Sequence, residues 1–140
     1  MIKKTAALVL ILLVSSVLLK AQVEDSIKYE NVGPEDFLTI IRFKENVLLL
    51  DVRLPFEYRR ERIENSVNMP LAKKFKLHAD KLNRDALILV YCTTDVRSKR
   101  AAERLYELGF RKIFNLEGGI EAWKRKGLSV IGRKGRNREN

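Results

Sequence analysis

Cys92, the single cysteine of the chain, closes the apolar run Ala86-Leu87-Ile88-Leu89-Val90-Tyr91, and Thr93, Thr94, Asp95, Val96, Arg97 and Ser98 follow it. A thiol with an arginine five residues on is a nucleophile beside a fixed cation, a pairing suited to attack on a small anion. The apolar run fits a buried strand, and Ser98 to Leu108 reads as an amphipathic helix, so the segment between them is a strand-to-helix turn. Backbone amides at such a turn, together with the positive end of the helix, favour negative charge on sulfur and an anion held next to it. The competing reading is a core cysteine, because free cysteine is among the most buried residue types and packs as a small hydrophobe. Thr93, Thr94, Asp95 and Arg97 are a poor continuation of a core, which favours the chemical reading.

The elements that must position this turn alternate along the chain. Gly33-Pro34-Glu35-Asp36 has the form of a helix start, with proline in the first turn and two acids near the positive dipole end, and Phe37, Ile40 and Ile41 recur at helical spacing. Val47 to Leu50, ending in Asp51, reads as a buried strand, and Ser66 to Met69, between Asn65 and Pro70, as a short one. Leu54 to Glu61 forms a brief helical turn in this reading, and Lys73 to Leu82 is weakly helical. In the helix after Cys92, Ala101, Ala102, Leu105 and Leu108 share one face, Lys99 stands four residues before Glu103, and Gly109-Phe110 suits a glycine cap with its hydrophobic contact. Ile113 to Leu116 is another strand, Glu117-Gly118-Gly119 breaks it, and Ile120, Trp123 and Leu128 mark a last helix packed inward. Gly118, Gly119 and Trp123 are given cap and packing roles. Strands alternating with helices imply an α/β fold with a parallel sheet covered on both faces. Ligands of such sheets bind beyond the carboxyl ends of the strands, where Asp51 and Cys92 both fall.

Residues 1–21 carry a basic start at Lys3 and Lys4, an apolar stretch from Ala6 to Leu19 and a small residue at Ala21, the layout of an export signal. The stretch is shorter than the roughly 20 residues of a spanning helix, which favours cleavage, with a membrane anchor as the alternative. The folded part is therefore expected outside the cytoplasm, periplasmic or extracellular. Residues 22–131 then make one domain, and residues 132–140, with Arg133, Lys134, Arg136 and Arg138 against Glu139, a basic tail without apolar residues. The chain carries a formal charge of +10 from 28 basic and 18 acidic residues. Such a balance suits an anionic lipid surface, and the tail's lack of interleaved aromatics argues against nucleic acid. One cysteine allows no internal disulfide and no dithiol cycle within one molecule. His78, alone, suggests no metal site.

The ordered pieces Asp51-Val52-Arg53 with Glu57-Tyr58, Asn68-Met69-Pro70, Tyr91-Cys92 with Arg97-Ser98, Leu105 to Phe110, and Gly118-Gly119-Ile120 with Trp123 give the chain a second reading. From about Val32 to Leu128 it resembles a single-domain rhodanese. The resemblance implies a rhodanese-like α/β domain with a central five-stranded parallel sheet flanked by helices on both faces. It further implies transfer of sulfane sulfur, from thiosulfate or a related donor, through a Cys92 persulfide. Cys92 matches the family's nucleophile, and Thr93, Thr94, Asp95, Val96 and Arg97 match the loop that cradles the transferred sulfur, Arg97 offering charge to the anionic donor. Asp51, Arg53 and Ser98 match positions that brace the site, with Arg53 and Glu57 expected as a structural ion pair. The implied partners are a small anionic sulfur donor and a thiol or cyanide-like acceptor, with no metal and no organic cofactor.

Two departures stand out. Family loops often carry glycine where Asp95 stands, which implies a positive φ there, and the carboxylate sets a negative charge beside an anion site. The loop Arg62-Ile63-Glu64-Asn65-Ser66 also differs from the family's His-Ile-Pro-Gly-Ala. A phosphatase is the nearest enzymatic rival, but related phosphatases place five residues between cysteine and arginine, whereas Cys92 and Arg97 are separated by four. A sulfur-carrying or protein-interaction module with little turnover is the rival from another class.

Overall fold

The computed structural model of the protein describes Val9 and residues 28–132. In chain order the elements are β1 (Glu30–Val32), α1 (Pro34–Phe43), β2 (Val47–Asp51), α2 (Pro55–Arg60), β3 (Glu61–Arg62), β4 (Val67–Asn68), α3 (Phe75–Ala79), β5 (Leu87–Tyr91), α4 (Val96–Glu107), β6 (Ile113–Leu116), α5 (Gly119–Arg125) and β7 (Ile131–Gly132). Five strands form one parallel sheet in the order β1-β6-β5-β2-β4. β5 is central, which is why its sequence is apolar on both alternating faces. Ile88 and Val90, with Cys92 after them, pack with Phe75, Ala101, Ala102 and Leu105 under α3 and α4, while Leu89 and Tyr91 pack with Phe37, Ile120 and Trp123 under α1 and α5.

Local signals explain the helices on each face. Gly33 caps α1 with Pro34 at its first position and Glu35 and Asp36 in its first turn, and Phe37 is fully buried. The Phe37 and Trp123 rings meet edge to face at 6.3 Å, tying α1 to α5. At the end of α4 the Gly109 N–H donates to the Tyr106 carbonyl and Phe110 N–H to that of Leu105, the cap expected from the sequence.

The elements and their contacts depart from the sequence reading at several points. Glu30 to Val32, to which the sequence reading gave no element, form β1, which completes the five by pairing with β6 at the sheet edge. α4 begins at Val96, two residues early, because Asp95 takes the left-handed turn that launches it. Lys99 does not pair with Glu103 but reaches back to Asp95 at 2.9 Å. Gly132, expected to open the basic tail, lies in β7 and pairs antiparallel with Glu61 of β3. Apart from Val9, residues 1–21, where an export signal is expected, and the basic residues 133–138 lie outside the described residues.

Candidate active site at the carboxyl end of the sheet

Asp51 and Tyr91 are in register at the ends of β2 and β5, so the residues that follow them leave the sheet side by side. Cys92 is 1 % exposed. Its Sγ accepts from the Asp95 N–H at 3.2 Å and the Ser98 N–H at 3.4 Å, with Ser98 Oγ also at 3.4 Å. The single Ser98 hydroxyl hydrogen is shared between that sulfur and the Asp95 carbonyl at 3.0 Å. Both readings of Cys92 therefore meet: the side chain joins the core cluster at its rim, and its sulfur is ringed by donors. Negative charge developing on sulfur faces hydrogens, the requirement for a stabilised anionic intermediate.

Two features force the loop into this shape. Asp95 sits at φ 119°, ψ −12°, which folds its amide back over the sulfur. On the outer side, α5 begins against the loop: Ile120 N–H donates to the Cys92 carbonyl at 2.9 Å and Glu121 N–H to the Thr93 carbonyl at 3.2 Å. These two carbonyls are held by the amino end of α5, while the Asp95 and Ser98 amides farther along the loop point at the sulfur. The first backbone bond of α4 runs from Lys99 N–H to Asp95 O at 2.9 Å, so Val96 and Arg97 offer amides that no acceptor among the described residues claims. Thr94 and Val96 are exposed on the loop's outer surface.

The Asp95 carboxylate does not stand free beside the sulfur. It pairs with Lys99 at 2.9 Å and accepts from the Gly118 N–H at 3.4 Å, which latches the loop to the turn before α5.

The cations are paired differently from the sequence expectation. Arg53 does not pair with Glu57. Asp51, fully buried, takes the Arg53 guanidinium through Nη2 at 2.6 Å and Nε at 3.0 Å and accepts the Arg53 backbone N–H as well. Asp51 sits only two residues away on the strand, so it captures Arg53 before the side chain can reach α2. Arg53 also donates to the Glu61 carbonyl at 2.7 Å, and the Asn68 side-chain amide donates to the Asp51 and Arg53 carbonyls. These bonds stitch the ends of β2, β3 and β4 together beside the Cys92 loop. Tyr91 adds a second brace, its hydroxyl accepting from Ile63 N–H at 3.1 Å beside Ser66 Oγ at 3.0 Å, and burial pushes this phenol up.

Glu57 instead clamps Arg97. Arg97 Nη1 and Nη2 each donate to a Glu57 oxygen at 2.8 Å, and Nη2 also donates to Thr93 Oγ1 at 2.9 Å, whose hydroxyl lies 3.1 Å from Glu57 Oε1. Arg97 therefore gives little net charge to a donor anion; it holds both ends of the Cys92 loop against α2. The hydrogen bond from Arg97 is the main reason the Glu57 carboxyl falls from 4.5 to about 2. Glu57 was given the wrong partner in the sequence reading, Ser98 touches the sulfur directly as well as bracing it, and Gly119 lies against the loop. The sequence offers little signal for a pair 40 residues apart.

Because the folded-state value of Glu57 is depressed, its contribution to stability is complete above about pH 4.5 and is lost as pH falls toward 2. A Glu57→Gln variant is expected to lose roughly 1–3 kcal/mol at neutral pH, discounted for the part-exposed Arg97, and to lose that part of the parent's acid destabilisation. Urea midpoints measured from pH 7 to 2 check this; parallel curves for parent and variant would contradict the clamp.

The comparisons with known proteins agree with this geometry. The Rhodanese-like domain family matches residues 34–126. A sulfurtransferase of Allochromatium vinosum is 32% identical over 91 residues, spanning 65% of this chain and 84% of the relative. The thiosulfate sulfurtransferase GlpE of Coxiella burnetii is 33% identical over 81 residues, spanning 58% and 75%. Among solved structures, a rhodanese-related protein from Thermoplasma volcanium superposes with a TM-score of 0.65 at 34% identity, covering 74% of this chain and 98% of that one. The polysulfide-sulfur transferase homodimer from Wolinella succinogenes gives 0.67 at 27% identity, covering 89% and 95%. A parallel five-stranded sheet with a lone cysteine in a donor-lined loop at its carboxyl end, matched over most of its length by such relatives, places the chain in the rhodanese-like sulfurtransferase family.

Proposed function

We propose that the protein moves sulfane sulfur from thiosulfate, or a related small anionic donor, to a thiol or cyanide-like acceptor through a persulfide on Cys92. The observation that carries this reading is the ring of donors on Cys92 Sγ, with the Val96 and Arg97 amides beside it unclaimed. In the first step Cys92 thiolate attacks the outer sulfur of the donor, the donor's S–S bond breaks, and sulfite leaves with the electron pair. Cys92 then carries a terminal sulfur bearing the negative charge, which the loop amides are placed to receive. In the second step the acceptor attacks that terminal sulfur and the electron pair of the broken S–S bond returns to Cys92. Each step is a displacement at sulfur, so the cycle consumes no oxidant or reductant.

Asp95 bears on the donor. With its carboxylate drawn to Lys99 and Gly118, the charge it brings to the loop is countered on the outer side while its amide serves the sulfur. The Arg97 charge is likewise countered by Glu57, so the cradle binds through amide dipoles rather than through a free cation. That arrangement suits one charged sulfur atom, and the loop is short for a tetrahedral phosphoryl group.

The burial of Cys92 favours one second reading, a sulfur carrier with slow turnover. Intact mass after exposure to thiosulfate without reductant tests both. One added sulfur on Cys92 with an equal amount of sulfite released is expected. Continued sulfite release with cyanide present marks the enzyme, and a single round marks the carrier. No mass gain overturns the persulfide in either form.

A further inference from the structure

The Asp95 N–H is bonded to the Cys92 sulfur at 3.2 Å, so covalent geometry keeps the carboxylate of the same residue within about 7 Å of the reacting atom. That is inside the Debye length of roughly 8–10 Å at physiological salt and below, so solvent ions alone do not hide it from an anion at the sulfur. The side chain stands at φ 119°, in a backbone region that favours glycine, and is carried there at a conformational cost. Its direction is fixed from two elements at once. Lys99 Nζ, one turn along α4, donates to Oδ2 at 2.9 Å, and the Gly118 N–H, from the turn before α5, donates to the same oxygen at 3.4 Å. The Asp95 side chain is 19% exposed, and Lys99 is the one cation paired with it among the described residues. The hydrogen bond to Asp95 is the main cause that holds the Lys99 ammonium above its usual range, and Tyr29 and Glu117 add smaller electrostatic pulls. Arg97, the other cation of the loop, is already countered by Glu57. Take away the Lys99 charge, and the loop is left with a net negative one.

We propose, resting on the sulfurtransferase reading above, that Lys99 is a positioning residue that sets donor specificity: by countering and turning the Asp95 carboxylate it lets the Cys92 loop accept a donor with two negative charges. Lys99 makes no bond to the sulfur and acts through Asp95. Without its charge the Asp95 amide still serves the sulfur, but the carboxylate repels the donor, and the penalty scales with the donor's own charge. Thiosulfate, a dianion, loses most. Methanethiosulfonate, a monoanion that offers the same kind of outer sulfur, loses about half as much in free energy. Both donors react alike: the Cys92 thiolate attacks the outer sulfur, the S–S bond breaks, and sulfite or methanesulfinate leaves with the electron pair. Charge is therefore the property the comparison isolates.

The test measures thiocyanate formation from cyanide with each donor in turn, in the parent, in Lys99→Gln and in the double variant Asp95→Asn/Lys99→Gln, and compares kcat/KM for the donor. Glutamine still offers a donor to Asp95, and asparagine tolerates a positive φ, so the charges change while the turn keeps its shape. Lys99→Gln is expected to lower kcat/KM roughly four- to ten-fold for thiosulfate and roughly two- to three-fold for methanethiosulfonate, with both losses shrinking as salt rises. The double variant is expected to return both to within about twofold of the parent. Equal losses for the two donors, or a double variant that does not recover, give the pair a purely structural role and overturn the proposal. Alkylation of Cys92, followed by intact mass, reads the same charge without turnover. Lys99→Gln is expected to lower the rate with iodoacetate, an anion, relative to neutral iodoacetamide by roughly two- to three-fold. That lower ratio in a protein whose parent forms no thiocyanate supports the charge role of Lys99 and refutes the sulfurtransferase reading. Thiocyanate formation with an unchanged ratio and an unchanged donor preference refutes the charge role alone. A sulfur that neither reagent modifies, in a protein that forms no thiocyanate, overturns both.

Discussion

A Cys92→Ser variant is expected to fold as the parent does and to release sulfite from thiosulfate slower by on the order of 10³-fold or more, the scale on which loss of a catalytic nucleophile leaves only binding. The two halves of this outcome have separate physical grounds. Serine keeps nearly the same shape at a site where Asp95 N–H and Ser98 N–H both point at the side-chain atom, so its hydroxyl oxygen finds donors in place of the sulfur. Removing one polarizable atom from the rim of the cluster formed with Val90, Ala101 and Ala102 costs within about 1 kcal/mol once those donors are satisfied. Chemistry is another matter, because a hydroxyl with no general base beside it is a weak nucleophile at neutral pH. Its surroundings are amide donors, Ser98 Oγ and apolar side chains, with no base among the described residues bonded to it. Far-ultraviolet circular dichroism and a urea midpoint establish the fold, and sulfite assay establishes the loss. Sulfite release equal to the parent's would remove Cys92 from the mechanism.

Much of the frame that holds Cys92 was legible because its signals are local. Leu87 to Tyr91 is apolar on both alternating faces, as a central parallel strand must be, and Gly33-Pro34 and Gly109-Phe110 mark helix ends through groups next to them in the chain. β1 was not legible, since Glu30-Asn31-Val32 has the composition of a loop. It becomes a strand because β6 offers a parallel edge and Asn115 donates to Asn31 at 2.8 Å. β3 and β7 are two residues each, too short for any periodicity to register.

At the site the divide falls between which residues matter and whom they bind. Cys92, Asp95, Arg97, Asp51 and Arg53 were singled out, yet the pairing of their charges was misread. Proximity on β2 gives Asp51 to Arg53, and the fold then leaves Glu57 to Arg97 across 40 residues. The positive φ of Asp95 was implied by resemblance alone, while the direction of its carboxylate depends on Lys99 one turn along α4 and on Gly118 from another element. Distances of that kind have no trace in composition or spacing.

Gly119→Ala is expected to cost roughly 2–4 kcal/mol and to lower turnover well beyond its effect on stability. Two terms add. Gly119 sits at φ +60°, where an alanine is disfavoured by about 1–2 kcal/mol. A Cβ there would also fall 2.4 Å from the Thr93 carbonyl oxygen and 2.6 Å from that of Cys92, and both are backbone atoms of the sulfur-carrying loop. Either α5 retreats, giving up the Ile120 and Glu121 amide bonds to those carbonyls, or the loop tilts and turns its inward amides off the sulfur. Gly127 provides the comparison that separates these terms, because it sits at φ +72° with nothing within 4 Å of a built Cβ. Gly127→Ala should therefore show the backbone term alone, about 1 kcal/mol or a fall in Tm of roughly 4–8 °C, with sulfite release near that of the parent. Gly119→Ala should fall by at least twice that and lose activity even at temperatures where it is fully folded. Equal melting temperatures and equal turnover for the two variants would mean that contact between α5 and the loop does not set the geometry at Cys92.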